Sequence, residues 1–376
     1  MKKFISRWYL IQNIIALITI VVLHLNIPLT IISGIVLALS VIFNFDFIQS
    51  KKLKDSNWFI QFFLQPLAVV MAWDYVYFEL VQYHLNNWFL STILFLYYLV
   101  MFVPFAYVIA AKAKNLFLRL IFIYSQYFII GFIVSSKNSV LLHSNVLQAV
   151  AYLIFVVLLM HLWGAAGPDV KSNKKENALV IIVLIFIILF YAFINASNNL
   201  DTFQELIKDI SNDNVINFWE TIRAGIGEEI TIRYAVAVCL LWIFSKSVHR
   251  LVFAILGSSI IFGLSHLVNL TNSQALEATI YQVLNAFAIG LIFMTIFLYT
   301  GKIWVTMLLH FIIDWSSTFV SGTLVENSIL GPNLIVNYNF TNVLILIIVF
   351  GLVLIWMMHG KRRQVMEEHA KALIKK

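Results

Sequence analysis

The sequence predicts an all-α fold, a polytopic bundle of about twelve transmembrane helices with both termini in the cytoplasm. Three observations support this prediction. Hydrophobic residues make up 61% of the 376-residue chain and charged residues only 11%, whereas a soluble domain typically carries about 25% charged residues. Long apolar segments recur along the chain, and basic residues collect between alternate segments. Most of the surface is therefore expected to face lipid, as in a multi-pass protein of the cell membrane.

The apolar segments have the length that a membrane-spanning helix requires. A helix needs about 20 apolar residues to cross the hydrocarbon core of a bilayer. Helices also suit that environment because their backbone groups are satisfied within the segment. Twelve segments qualify, near residues 8–24, 28–47, 58–78, 88–111, 116–135, 146–166, 178–196, 222–244, 251–269, 278–299, 303–320 and 342–359.

The distribution of basic residues tests this span count. If the N-terminus is cytoplasmic and every span is real, 21 of the 25 Lys and Arg residues lie in cytoplasmic segments, and the exceptions are Lys137, Lys208, Arg223 and Arg233. An incorrect number of spans would place basic residues on both sides of the membrane. The positive-inside rule therefore favours twelve spans. The net charge of +7 is then a topology signal. We expect the lipid bilayer as a partner and no nucleic acid.

A polar interruption at residues 197–221 divides the chain into regions. We predict an N-terminal accessory transmembrane region of about seven spans over residues 1–196, and a charge-bearing core over residues 222–320. The last span and a basic cytoplasmic tail occupy residues 321–376. The end of this tail is predicted to be a helix at the cytoplasmic surface that acts as a solvated topology anchor.

Ionisable residues within the predicted spans are concentrated in the last third of the chain. Such residues are costly in a membrane and are functional hypotheses by default. They lie on the eighth, ninth and eleventh spans, as Glu228, Glu229, Arg233, His266, His310 and Asp314. The sequence therefore indicates an enzyme rather than a scaffold.

Helical spacing separates the roles of these residues. Glu229 and Arg233 are four apart with the acid first, which predicts a buried ion pair. Glu228 lies about 100° around the same helix and has no evident partner on it, which suits a general base or acid. His310 and Asp314 are also four apart, so the carboxylate can orient the imidazole or join it at a metal.

Position and depth suggest that these side chains line one pocket. Phe262 shares a helical face with His266 and is expected to wall the pocket. In the predicted topology Glu228, His266, His310 and Asp314 fall within about 10–12 Å in depth. Helix–helix hydrogen bonding is the structural alternative for any one of them.

Hydrolysis is the chemistry that fits these groups. A carboxylate can deprotonate water, and two imidazoles can stabilise an oxyanion. We expect no cofactor; in the alternative, Glu228, His266 and His310 hold zinc with water in an open position. The spacing alone does not decide between the two. The sequence contains neither an HExxH nor a GxSxG motif.

Several motifs resemble those of the CPBP family, the CAAX proteases and bacteriocin-processing enzymes also called the Abi family. Residues 228–233 match its EExxxR pattern, residues 262–266 its FxxxH pattern and residues 310–314 its HxxxN/D pattern. Between the last two, residues 287–291 and 299–304 resemble the family's FxxGL stretch and the segment after it. The resemblance covers roughly residues 217–320.

This resemblance implies an intramembrane endopeptidase with its protease core at residues 222–320. Glu228 would be the catalytic glutamate that activates water, in a glutamic rather than a metal-dependent mechanism. The resemblance implies that His266, His310 and Asp314 stabilise the oxyanion. It also implies that Glu229, Arg233 and Phe262 shape the site. Many relatives have Asn where this chain has Asp314, and the family tolerates both.

The resemblance also implies a class of substrate, and two other functions stay open. The substrate would be a peptide, such as a leader peptide, or a membrane protein. The chain could instead be a catalytically silent regulator or immunity protein of the same fold. It could also be a proton-coupled transporter, because twelve spans with both ends inside and buried acids and histidines are common to transporters. Charges clustered in only one half of the chain argue against a two-repeat transporter.

Overall fold

The computed structural model describes residues 2–22, 27–44, 50–81, 87–132, 142–171, 176–197, 215–272, 274–318 and 340–374. Over these residues the secondary structure is helical, with short connections and one isolated antiparallel bridge between Asp169 and Lys302. The chain divides into two compact units, Met1–Trp163 and Gly164–Lys376. The predicted all-helical fold is confirmed over the residues that the structure describes.

The first unit is a helical bundle whose interior is mostly apolar but also buries several amide side chains. Its helices are α1 (Lys2–Val22), α2 (Ile27–Asn44), α3 (Lys51–Val81), α4 (Asn87–Val108), α5 (Leu116–Phe132) and α6 (Leu142–Leu162). Among the buried amides, Gln12 Nε2 donates to the Met101 carbonyl at 3.0 Å, and Gln65 Nε2 donates to Asn13 Oδ1 at 3.0 Å. Polar groups at helix interfaces hold membrane helices together where apolar burial cannot, because lipid is equally apolar.

The second unit contains all the ionisable residues singled out from the sequence. Its helices are α7 (Ala178–Ser197), α8 (Val215–Glu229), α9 (Ala237–Ile243), α10 (Arg250–Ser265), α11 (Leu276–Thr300), α12 (Ile303–Thr318), α13 (Phe340–Met357) and α14 (Gly360–Ile374). A π-helical segment, Ile230–Val236, joins α8 to α9, and a 3₁₀ segment, His266–Asn272, follows α10. Helix α11 is central: it packs against α7, α10, α12, α13 and α14, and residues 291–300 are all buried.

Each of the twelve predicted apolar segments overlaps a helix. Among the described residues, four helices are long and apolar enough to cross a membrane: Thr92–Lys112, Arg250–Thr271, Leu276–Thr300 and Phe340–Met357. The chain is thus a helical membrane protein. The count of twelve spans and the cytoplasmic placement of both termini stay predictions.

Helix α7 lies in the second unit, which begins at Gly164. The sequence assigned this helix to the accessory region that ends at residue 196, because the polar stretch 197–221 was the longest interruption. That stretch lies largely outside the described residues, and its last part, from Val215, belongs to α8. The structure differs from the sequence boundary because α7 packs along α12.

The basic tail is helical, as predicted, but one face of this helix is buried against the rest of the second unit. Helix α14 buries one face, made by Val365, Met366, His369, Ala370 and Leu373, against α9, α10 and α11. His369 donates from Nδ1 to the Leu298 carbonyl at 2.9 Å, and its Nε2 lies 3.3 Å from Glu176 Oε1. Burial lowers the pKa of His369, although the nearby Glu176 carboxylate acts in the opposite direction.

Close approach of helix backbones requires glycine at two interfaces of the second unit. A Cβ on Gly290 of α11 would lie 2.9 Å from the Ser259 Cα on α10. A Cβ on Gly225 of α8 would lie 2.9 Å from the Met307 carbonyl oxygen on α12. Small residues at such interfaces let membrane helices pack at short distance. These contacts bring α8, α10, α11 and α12 together around the charged residues.

We expect Gly290→Ala to destabilise the protein by about 1–3 kcal/mol, because the new methyl group overlaps backbone that cannot move aside cheaply. The matched control is Gly351→Ala on α13, where a Cβ meets nothing within 4 Å. Thermal unfolding in detergent measures both variants. Equal melting temperatures for the two would contradict the close-packing interpretation.

The predicted topology places Val248 in the cytoplasm and Thr271, at the other end of the α10 span, outside. Both residues are exposed, and the single native cysteine, Cys239, is buried. In intact cells, a membrane-impermeant maleimide should label Thr271→Cys, and should label Val248→Cys only after permeabilisation. Labelling of both from one side would break the twelve-span topology, and the reverse pattern would place the termini outside.

Candidate active site

The paired glutamates end helix α8 at the point where the backbone widens into the π-helical segment. Ile230, Thr231 and Ile232 follow Glu229 directly, and every residue of the segment is buried. The Thr231 hydroxyl donates to the Gly227 carbonyl at 2.6 Å, one turn back. Wide π turns within helices frequently occur at functional sites. Here the segment carries Arg233 into the interior of the bundle.

Arg233 and Glu229 form the buried ion pair that their spacing predicts. Arg233 Nη2 lies 3.3 Å from Glu229 Oε1, and both side chains are fully shielded from solvent. The guanidinium group also lies over the Phe262 ring, 4.2 Å from its centroid, and 5.6 Å from that of Phe293. Aromatic faces attract cations, most strongly where water is excluded, so both rings help to hold the charge.

His310 joins this pair from helix α12. Its Nδ1 lies 2.8 Å from Glu229 Oε1, while its Nε2 lies 3.3 Å from Asp314 Oδ2 and 3.6 Å from Glu228 Oε2. Both ring nitrogens therefore face carboxylates, which only accept hydrogen bonds when ionised. This arrangement fits an imidazolium ion with one N–H donated to each side.

His266 reaches the site from the end of α10. Its Nδ1 lies 3.0 Å from the Phe262 carbonyl oxygen, so the ring donates from Nδ1 and, when neutral, has its acceptor at Nε2. The Phe262 ring meets both imidazoles edge to face, at 5.1 Å from His266 and 5.9 Å from His310. Phe262 therefore contacts both histidines, and its role as the wall of a substrate pocket stays a prediction.

The site has a sealed side and an open side. The Glu229 and Arg233 side chains are 0% exposed, whereas that of Glu228 is 20% exposed and that of Asp314 is 28% exposed. The two accessible carboxylates flank His310. A water molecule can therefore reach the groups that could use it, while the ion pair behind them stays dry.

One expectation about Glu228 needs correction. Its own helix offered no partner, and the sequence therefore indicated an unpaired carboxylate. The structure places His310 Nε2 3.6 Å from Glu228 Oε2. Periodicity along one helix cannot detect a partner that arrives from α12, some 80 residues later in the chain.

Sequence reasoning also missed a neutral polar pair that joins helices α7 and α11 of the second unit. Tyr191 of α7 donates from its hydroxyl to Asn285 Oδ1 of α11 at 3.2 Å. Neither residue is ionised at neutral pH, so neither belonged to the group of intramembrane charges that marked the site.

The remaining question about the carboxylates and imidazoles of this site is whether they can bind a metal ion. Among the described residues, the His, Cys, Asp and Glu side chains include no group of three or more that could hold a metal ion. Nδ1 of His310 contacts the Glu229 carboxylate, and Nδ1 of His266 contacts the Phe262 backbone carbonyl. Zinc bound by Glu228, His266 and His310 stays a prediction to be tested by chelation.

Arg233→Ala should lower the yield and melting temperature of folded protein, because it leaves Glu229 buried without its cation. Breaking a buried ion pair costs about 3–5 kcal/mol. The matched control is Arg223→Ala on the same helix, where the Arg223–Glu220 pair is partly exposed and is worth about 0–1 kcal/mol. Size-exclusion chromatography and thermal unfolding report both changes. Unchanged stability in Arg233→Ala would remove the structural role of the pair.

Comparison with known protein families gives a match on this part of the chain. Residues 214–316 match a family model described as type II CAAX prenyl endopeptidase Rce1-like. The matched region contains all six ionisable residues of the site. Searches of curated proteins and of solved structures gave no match. The matched residues agree with the order of the motifs in the sequence, and this part of the chain is similar to CAAX-type membrane proteases.

Proposed function

We propose that this protein is an intramembrane endopeptidase that hydrolyses peptide bonds in leader peptides or other membrane-associated substrates. The observation that supports this best is the position of Glu228. Its carboxylate is 20% exposed and lies beside His310, at the open edge of a charge network whose interior is dry. A base that touches water and is backed by fixed charges is what hydrolysis requires.

Glu228 is the general base in the proposed reaction. It takes a proton from water as the water oxygen bonds to the scissile carbonyl carbon, and the carbonyl oxygen becomes an oxyanion. Collapse of this intermediate breaks the C–N bond, while the proton passes from Glu228 to the leaving nitrogen. The products are a carboxyl group and an amine, and no group on the enzyme is consumed.

Both histidines lie near the oxyanion in the proposed reaction, and His310 supplies positive charge there. His310 is held as an imidazolium between Glu229 and the two accessible carboxylates, and His266 closes the same pocket beside Phe262. Fixed charges in a site that excludes water stabilise a developing charge strongly, because they need no reorganisation during the reaction. Glu229 and Arg233 shape the site by holding His310 from the sealed side.

Asp314 has a different role from the one that the family resemblance implied. An ionised carboxylate accepts hydrogen bonds and cannot donate one to an oxyanion. Its Oδ2 lies 3.3 Å from His310 Nε2, which suits it to orient the imidazolium and balance its charge. We therefore assign Asp314 to positioning His310 rather than to direct contact with the oxyanion.

Glu228→Gln should abolish cleavage, with a loss of about 10²–10⁴-fold, because it removes the base while keeping the shape of the side chain. Membrane peptides from cells that express each form, compared by mass spectrometry, would identify the substrate and the activity together. Glu277→Gln is the matched control, since Glu277 is an exposed acid of α11.

Full activity of Glu228→Gln, with normal accumulation in the membrane, would exclude this mechanism. If neither form cleaves any peptide, a silent regulator of the same fold becomes the better explanation. Strong chelation distinguishes the two catalytic types with the same assay. Activity that survives chelation supports the glutamate mechanism, and activity that is lost and then restored by added zinc supports zinc.

A further inference from the structure

Helix α13 carries an exposed apolar strip along its length. Of the four described helices that are long and apolar enough to cross a membrane, α13 is the least covered by the rest of the protein, with only 17% of it buried. Its exposed side chains include Ile348, Leu352 and Ile355, which their spacing places on one face of the helix. We call these three residues the apolar strip. Contiguous apolar surface of this kind marks a contact with membrane or partner.

The apolar strip ends where an arginine is fixed against the last turn of the span. Gly360 has a φ of +60°, a left-handed conformation that glycine adopts without strain, at the point where α13 gives way to α14. Arg362 Nε then donates to the Trp356 carbonyl at 3.0 Å, and its Cζ lies 4.3 Å from the centroid of the Trp356 ring. These two contacts hold the guanidinium group in place and leave its two Nη groups as donors.

The positive charge at this end of α13 is not neutralised by nearby acids. Lys361 and Arg363 flank Arg362 in the sequence, and both are exposed. Among the described residues, no acid forms an ion pair with any of these three cations. The first acid of α14, Glu367, is bound by Arg250, whose Nε donates to Glu367 Oε2 at 3.0 Å. The three cations can therefore take an anion from outside the protein.

An apolar strip that ends in unpaired cations matches the chemistry of a phospholipid. Phosphate oxygens accept short, charge-assisted hydrogen bonds from guanidinium and ammonium groups. The Trp356 ring at the junction is of the amphipathic type that is enriched at the membrane–water interface. The predicted topology places this end of α13 in the cytoplasm, and the cytoplasmic leaflet is the one that carries anionic lipids.

We propose that the junction of α13 and α14 binds an anionic phospholipid. The headgroup phosphate contacts Arg362 and Lys361, and an acyl chain lies along the apolar strip. Trp356 is the positioning residue, because it holds the guanidinium group at the end of the strip. This inference does not depend on the proposed peptidase function. It gives the basic tail a specific lipid partner, beyond the general role of a topology anchor.

The first test measures lipid binding to the full-length protein in detergent by native mass spectrometry. Phosphatidylglycerol is the probe, and phosphatidylcholine with the same acyl chains is the zwitterionic comparison. We expect phosphatidylglycerol to bind at least about tenfold more tightly. Arg362→Gln should weaken that binding by at least about tenfold, because it removes a fixed, charged donor.

Two further variants calibrate this loss. Lys361→Gln should weaken phosphatidylglycerol binding by about threefold, since an exposed charge contributes less than a fixed one. Lys171→Gln is the matched control, because it removes one exposed cation that lies outside α13 and α14. Its affinity for phosphatidylglycerol should stay within about twofold of the parent.

The second test separates lipid binding from the folding of the junction. Because Lys361 is exposed, Lys361→Gln should keep the melting temperature of the parent in detergent alone. It should lose part of the rise in melting temperature that added phosphatidylglycerol gives to the parent, since a ligand of the folded state stabilises in proportion to its affinity. Inorganic phosphate at the same concentration should give no such rise, because it cannot cover the apolar strip.

Three results would overturn the inference. Equal affinities for phosphatidylglycerol and phosphatidylcholine would show that the cations do not select the lipid. An equal rise in melting temperature with inorganic phosphate would make this a site for a free anion. Equal phosphatidylglycerol affinities for Arg362→Gln and Lys171→Gln, per folded molecule, would leave the basic tail as a topology anchor only.

Discussion

The ion pair between Glu229 and Arg233 is the interaction on which the second unit depends. Removing two charges from water costs several kcal/mol for each ion, and only close pairing with further hydrogen bonds offsets that cost. Glu229 is shared with His310, and Arg233 lies over two aromatic rings. The ion pair therefore holds helices α8, α10, α11 and α12 together. It is stable only when all four helices pack around it.

The cost of burying unpaired charges also explains why one side of the site is fully buried and the other is partly exposed. Charges that support the structure are fully buried, whereas the two carboxylates that can meet water are partly exposed. Glycines at the interfaces of α8 with α12 and of α10 with α11 allow the backbones to approach closely enough for this geometry. The proposed hydrolysis would need this combination, since fixed charges act strongly only where water is excluded and the nucleophile itself is water.

Much of the fold could be predicted, because the bilayer imposes simple lengths and periods. Apolar segments of about 20 residues have to be helices in lipid, and each overlaps a helix of the structure. The Glu229–Arg233 pair and the contact of Phe262 with His266 also followed from spacing along single helices. The partner of Glu228 did not follow, because His310 comes from another helix. The π-helical turns after Glu229 have no sequence signal comparable to an apolar period.

The sequence by itself determined the helical membrane class, the order of the helices and the six ionisable residues that we propose as the site. These features depend on composition and on residues a few positions apart, which one chain segment contains. Only the tertiary structure decided that α14 buries a face, that α7 joins the unit with the site, and that Tyr191 meets Asn285. Such contacts join segments far apart in the chain. Neutral polar residues also carry little cost signal in a sequence, so their importance is visible only once the helices are packed.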